Sequence, residues 1–211
     1  MSAFTVSLPQ PAYADHVTPP PVPANIQVPA GNKAFFVGHG VGTQNYICLP
    51  CPNPITPAAM CPASGFAFAL FTPQATLFAD NDKQVITHFF GPNLSPIPPE
   101  IAGTIRATWQ DSRDTSTVWA KLDQSSSDAA FVAPGAIAWL KIGKAGVEEG
   151  PGGGDTLTAT TFVQRVNTAG GVAPPTGCAS AEDVGRQAFV PYTADYIFYS
   201  TPGSEEDDDD R

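Results

Sequence analysis

Three histidines occur in the chain, at positions 16, 39 and 88. His39 and His88 lie in short apolar stretches of strand character, where an imidazole is able to serve as a metal ligand or as half of an acid–base pair with a nearby carboxylate. A metal-dependent enzyme using His39 and His88 is therefore one reading. The plainer one makes them ordinary core or surface residues. Four cysteines stand at 48, 51, 61 and 178. Their even number and the low charged fraction, 14%, suit a secreted chain with two disulfides. Three pairings are open; the preferred one joins Cys51 to Cys61, closing a Pro-rich loop, and Cys48 to Cys178, tying two distant strands. Cys48-Leu49-Pro50-Cys51 has redox-motif spacing, but Pro52, Pro54 and Pro57 deny it the helix N-terminus that stabilises a thiolate. A zinc site usually shows two close pairs, and Cys178 stands alone.

Gln164 and Arg165 are the third candidate. Adjacent strand residues face opposite sides, so one of the two points inward and must be hydrogen-bonded there. The pair reads as a polar clasp holding the turn over 168–174, or as a polar anchor inside a ligand pocket. Other nucleotide and nucleophile signatures are missing. Gly38-His39-Gly40-Val41-Gly42 lacks the full dinucleotide spacing and a following helix. Neither a Gly-x-Ser-x-Gly elbow nor a Gly-Lys-Ser/Thr phosphate loop is present. No cofactor is expected.

The elements that must position these residues are strands. The chain has 23 Pro and 19 Gly among 211 residues, a load incompatible with a helical bundle. Apolar segments are short and bounded by turn residues. Strands are expected over 33–41, 44–48, 66–70, 75–79, 84–90, 103–110, 117–122, 136–142, 156–166 and 194–200. Asp80-Asn81-Asp82-Lys83 is the strongest hairpin signal, and the turn accounts for its Asp-x-Asp without a metal. At most a helical turn is expected near 123–130, and a mobile loop over 143–154. The result is an all-β fold, a single antiparallel barrel or sandwich of about eleven short strands.

Charge and proline are uneven. The formal net charge is −10, from 20 acidic and 10 basic residues. Residues 202–211 hold Glu205-Glu206-Asp207-Asp208-Asp209-Asp210 and read as a solvated, disordered tail. This acidity argues against nucleic acid as a partner. No run of 18 apolar residues marks a transmembrane helix. Residues 1–27, with Pro19-Pro20-Pro21-Val22-Pro23, read as an extended arm. Ala12-Tyr13-Ala14 before Asp15 looks like a small-residue cleavage site; the start reads either as the remnant of a truncated leader or as a mature form with an added Met. Residues 28–201 form the folded domain.

Three blocks carry a resemblance. Gly40-Val41-Gly42-Thr43-Gln44-Asn45-Tyr46-Ile47-Cys48 is the first, and the run from Thr161 through Gln164-Arg165-Val166-Asn167-Thr168-Ala169-Gly170-Gly171 to Pro174 is the second. Val190-Pro191-Tyr192-Thr193-Ala194-Asp195-Tyr196-Ile197-Phe198-Tyr199 is the third. Together they resemble a secreted, uncharacterised family of bacteria and fungi, number 3455 among the domains of unknown function. The resemblance implies a disulfide between the positions of Cys48 and Cys178, and makes Cys51 and Cys61 an addition in this chain. Leu94 stands where the family tends to have Trp. Members often bear the label malate dehydrogenase; the residues here show no dinucleotide fingerprint and no βαβ alternation, so a nicotinamide-dependent activity is not expected.

The leading expectation is a secreted all-β binding or structural module without catalysis, with a small ligand or a surface partner. The alternatives are a self-assembling extracellular surface protein that docks its N-terminal arm on a neighbour by strand addition, and the histidine-based enzyme.

Overall fold

The computed structural model describes residues 17–95 and 103–202. The expected cleavage site, His16 and the run of six acids lie outside the described residues. Eight antiparallel strands follow one another around a closed barrel: β1 (Lys33–Pro50), β2 (Phe66–Phe78), β3 (Gln84–Pro92), β4 (Ile105–Asp111), β5 (Thr117–Ser126), β6 (Trp139–Glu148), β7 (Phe162–Gly170) and β8 (Gln187–Ser200). β8 pairs with β1, from Lys33↔Ser200 to Ile47↔Gln187, and closes the cylinder. The described residues contain no α-helix, only short 3-10 turns such as Ala24–Ile26. Among the described residues no helix is long and apolar enough to cross a membrane.

The all-β class is as expected; the strand count is eight rather than about eleven. The excess came from cutting long strands at Gly and Pro. β1 runs unbroken through Gly38, Gly40 and Gly42, and the strands expected over 66–70 and 75–79 are one β2 that passes through Pro73. β6 extends to Glu148, so the loop expected over 143–154 begins only after it. β7 starts at Phe162, not 156, because 156–159 forms turns. β5 continues to Ser126 where a helical turn was expected. The hairpin at 79–83 forms, closed by Ala79 N–H to Lys83 O at 2.9 Å.

The meander gives the barrel two unlike ends. Short connections over 79–83 and 112–116, and the longer 149–161, lie at one end, with the start of β1 and the finish of β8. This is the hairpin end. The other, the loop end, carries the connections over 51–65, 93–104, 127–138 and 171–186.

Alternation along each strand sends one set of side chains inside. The interior is filled by Phe36, Leu77, Ile86, Trp109, Val118, Val163, Tyr196 and Phe198, all buried. Eight strands enclose a space that side chains can fill. Trp109 is its centre, edge-on to Tyr196 at 5.8 Å and to Phe198 at 6.2 Å. A second apolar cluster lies outside the wall. There Val166, Ile197 and Tyr199 face outward and are covered by Val17, Val22, Ile26 and Val28 of the N-terminal segment and by Phe131 and Val132 of the 127–138 loop. Residues 17–28 therefore belong to the packing of their own barrel. Ile26 is fully buried, and burying one such side chain contributes about 1.5–3 kcal/mol.

Candidate functional site

Gln164 and Arg165 sit next to each other on β7 and face opposite sides of the wall. Gln164 points outward under the N-terminal segment. Its Nε2 donates to the Ile26 carbonyl at 2.7 Å, and its Oε1 accepts from the Tyr199 hydroxyl. Arg165 points inward, toward the loop end, and donates from Nε and Nη2 to the Ala138 carbonyl at 3.3 and 2.8 Å. The pair thus fastens two separate segments, the arm and the end of the 127–138 loop. The 168–174 turn is held by other groups: Thr168 Oγ1 donates to Ile137 O at 2.6 Å, and the Tyr46 hydroxyl donates to Gly171 O at 2.7 Å.

Around Arg165 lies a polar layer of the barrel interior. Tyr196, the β8 partner of Arg165, shares a hydrogen bond of 2.8 Å with the Tyr192 hydroxyl. Gln44 is buried beside Tyr192, with its amide facing that hydroxyl. The phenols of Tyr46, Tyr192 and Tyr196 are all pushed up by burial, with the guanidinium charge opposing that shift. No Asp or Glu pairs with Arg165 among the described residues. Gln44, Tyr46, Tyr192 and Tyr196 were not singled out from the sequence as site residues. The signal available was their membership of the first and third of the three blocks, the second of which contains Arg165 and Gly171.

His88 also faces inward. Its ring stacks on Trp109 at 4.3 Å, nearly parallel, and Nδ1 donates to the Thr108 carbonyl at 2.8 Å. Burial drives its pKa down to about 3, so the imidazole is neutral. His39 lies on the outer face of β1. Nδ1 meets Asp195 Oδ1 at 2.7 Å and Nε2 meets Asp80 Oδ1 at 2.8 Å. Hydrogen bonds to Asp195 first, and then to Asp80, raise its pKa. Asn167, in a left-handed conformation at a bulge of β7, donates to the other Asp195 oxygen at 2.7 Å. This clasp joins four consecutive parts of the wall beside a shallow groove lined by Val41, Phe78 and Asp82. The structure does not bring His39 and His88 together; the wall stands between them. Among the described residues no group of three His, Cys, Asp or Glu is placed to hold a metal ion.

All four cysteines are paired, Cys48 with Cys178 and Cys51 with Cys61. Both bridges lie at the loop end. The first pins the 171–186 loop to β1, where Cys48 N–H also donates to Arg186 O at 2.8 Å and Gly185 N–H to Cys48 O at 2.9 Å. The second closes the Pro-rich 51–65 loop.

These features define a closed, eight-stranded up-and-down β-barrel with a filled interior, a disulfide-braced loop end and a polar layer beneath it. The chain belongs to the family described as protein of unknown function (DUF3455), whose model matches residues 29–200. No curated protein and no solved structure matches it.

Proposed function

We propose that this protein is an extracellular, non-catalytic binding module that meets a protein partner with its loop end. The observation that carries the reading is the segregation of exposed apolar side chains. Ile55 and Met60 protrude from the first loop, Leu94 from the second, Ile105 from the start of β4, Val172 and Val184 from the fourth loop and Phe189 from the start of β8, while Val41 and Leu122 stand on the outer wall in β1 and β5. Among the described residues, none of the exposed large hydrophobics lies in a hairpin-end connection. Single exposed apolar residues are ordinary; their gathering at one end is not.

The 51–65 loop carries no charged residue, and the four loops together hold Arg186 as their one base. A lipid surface of anionic headgroups would call for a basic rim, so a protein partner fits better. Two disulfides that use every cysteine support an oxidising compartment. His39 held between two carboxylates, and His88 sealed in the core, favour binding over chemistry. Packing of residues 17–28 on their own barrel disfavours docking of that stretch on a second copy.

The test is site-specific photo-crosslinking. A photoreactive residue replaces Phe189 or Met60 in one arm, and Asp82 at the hairpin end in the other. Each is exposed to the extracellular fraction of the producing cells. The reading expects a discrete adduct from the loop-end positions, abolished by excess unlabelled chain and absent from Asp82. No adduct, or equal labelling from both ends, defeats it. An adduct of twice the chain's own mass favours self-assembly instead.

A further inference from the structure

We infer that the loop end, read as a protein-binding face, holds its partner by strand addition: an extended, uncharged segment of that partner pairs with the free edge of β2 from Phe66 to Leu70. This rests on the reading proposed above and supplies its mode of contact. The reason is backbone direction. Cys48 N–H donates to Arg186 O on the β8 side. In an antiparallel strand the N–H and C=O of one residue point the same way, and the direction alternates along the chain. Tyr46 and Cys48 therefore turn away from β2. Their opposites, Leu70 and Phe68, turn their own N–H and C=O away from β1. Ala67 and Ala69 make the ladder bonds, to Leu49 and Ile47.

Among the described residues no hydrogen bond reaches these outward groups of Phe68 and Leu70. The β2–β3 ladder runs from Phe78↔Gln84 and stops at Gln74↔Phe89. Pro73 has no N–H to extend it, and Thr72 Oγ1 takes the Phe90 N–H at 3.0 Å. The chain after β3 leads away from β2, with Asn93 Nδ2 donating to Ala145 O of β6 at 3.3 Å. Phe68 and Leu70 thus present N–H donors and C=O acceptors at strand spacing, the pattern another extended backbone matches. Natural edges guard such groups with Lys, Pro or a bulge. Phe66 to Leu70 has none of these, and no Asp, Glu, Lys or Arg occurs between Lys33 and Asp80. An uncharged segment gives up no ionic hydration on docking there. A net charge of −10 on each chain disfavours a second copy as the occupant.

The experiment is residue-resolved amide exchange of the full chain, with the neutral peptide acetyl-Thr-Val-Thr-Val-Thr-Val-Thr-amide as probe and its N-methylated copy as control. In the free chain Phe68 and Leu70 are expected to exchange about tenfold faster than Ala67 and Ala69. Millimolar peptide is expected to slow both by about fivefold, saturably, and the N-methylated copy not at all. Ala67→Lys sets a guard charge on the edge strand; it is expected to abolish that slowing and the photo-adduct from Met60 or Phe189. The measurements on the parent chain decide the matter even if that variant does not fold. Slow exchange at Phe68 and Leu70 in the free chain, no slowing by the peptide, or equal slowing by the N-methylated copy overturns the inference. An adduct that survives in Ala67→Lys overturns it too, and leaves the binding reading intact. Peptide protection without any adduct supports the edge and defeats the reading of an extracellular partner. Protection that grows with chain concentration alone assigns the edge to a second copy and overturns the inference.

Discussion

Gln164 Nε2 donates to the Ile26 carbonyl at 2.7 Å across a separation of 138 residues, and the Tyr199 hydroxyl donates to the same side chain. One amide therefore joins the N-terminal segment, β7 and β8 on the outer wall. Its neighbours Ile26, Val166 and Ile197 exclude water from the contact. Gln164→Leu keeps the bulk and strands a buried carbonyl and a buried hydroxyl. Leaving such groups unsatisfied costs about 1–3 kcal/mol each. The variant is expected to lose about 2–4 kcal/mol in urea unfolding, with proteolysis over residues 17–28 accelerated first.

His88 predicts how the barrel fails in acid. Its folded pKa, about 3, lies below the ordinary 6.5. The unfolded chain therefore binds the proton first as pH falls through 6.5, and stability declines from there toward pH 3. The full difference is on the order of 5 kcal/mol. His88→Phe retains an aromatic ring against Trp109 and removes the titration. Its urea midpoint is expected to fall less between pH 7 and pH 4 than that of the parent chain. Equal slopes would show that other groups control the acid limit.

His39 has the opposite sign. Its pKa is raised by Asp195 and Asp80, so its contribution is complete below 6.5 and disappears as pH rises through the folded value. Asp80 is 88% exposed and the imidazole 43%, which keeps the contribution small and salt-sensitive. His39→Gln is expected to flatten the decline in stability as pH rises from 6.5 through the folded value. An NMR titration of the His39 ring should report a midpoint above 6.5 that returns toward it in Asp195→Asn.

The two disulfides should differ in weight. Cys48–Cys178 spans 130 residues and Cys51–Cys61 spans 10. Loop-closure entropy alone assigns about 5 kcal/mol to the first and about 3 to the second. The double variant Cys48→Ala/Cys178→Ala is expected to be the less stable in guanidinium unfolding. It also releases the 171–186 loop, which carries Val172 and Val184 of the proposed binding face.

The all-β class was legible because alternation and turn residues are local signals. The strands expected over 66–70 and 75–79 have the right period, and only the register across the barrel reveals that Phe71 to Gln74 joins them. The opposed directions of Gln164 and Arg165 follow from strand geometry alone. What covers Gln164 does not, because Ile26 reaches it from 138 residues away. The polar layer was hidden for the same reason. Gln44, Arg165 and Tyr196 lie on three strands, β1, β7 and β8, and only barrel closure makes them neighbours. The His39 clasp likewise needed the β1–β8 register His39↔Asp195.

Barrel closure in turn rests on close approach along β1, and Gly42 is its most exacting point. A Cβ built there would lie 2.1 Å from the Gln74 carbonyl oxygen and 2.5 Å from Ala75 Cα. Both are backbone atoms of β2, so no rotamer change relieves the overlap. Gly42→Ala must push β2 away at the Gly42↔Ala75 pair, two residues from Gln44 and the polar layer. Gly143, also within a strand, meets nothing closer than 3.9 Å, and Gly143→Ala is the matched control. In an open strand position, Gly to Ala is neutral or mildly stabilising because the unfolded chain loses freedom. Gly42→Ala is expected to lose about 3 kcal/mol or more, as overpacking against rigid backbone does, while Gly143→Ala stays within about 1 kcal/mol of the parent. Amide exchange should locate the Gly42→Ala defect along β1 and β2 near positions 42 and 75. Similar urea midpoints for the two variants would mean that β1 and β2 are less closely paired there than the register requires.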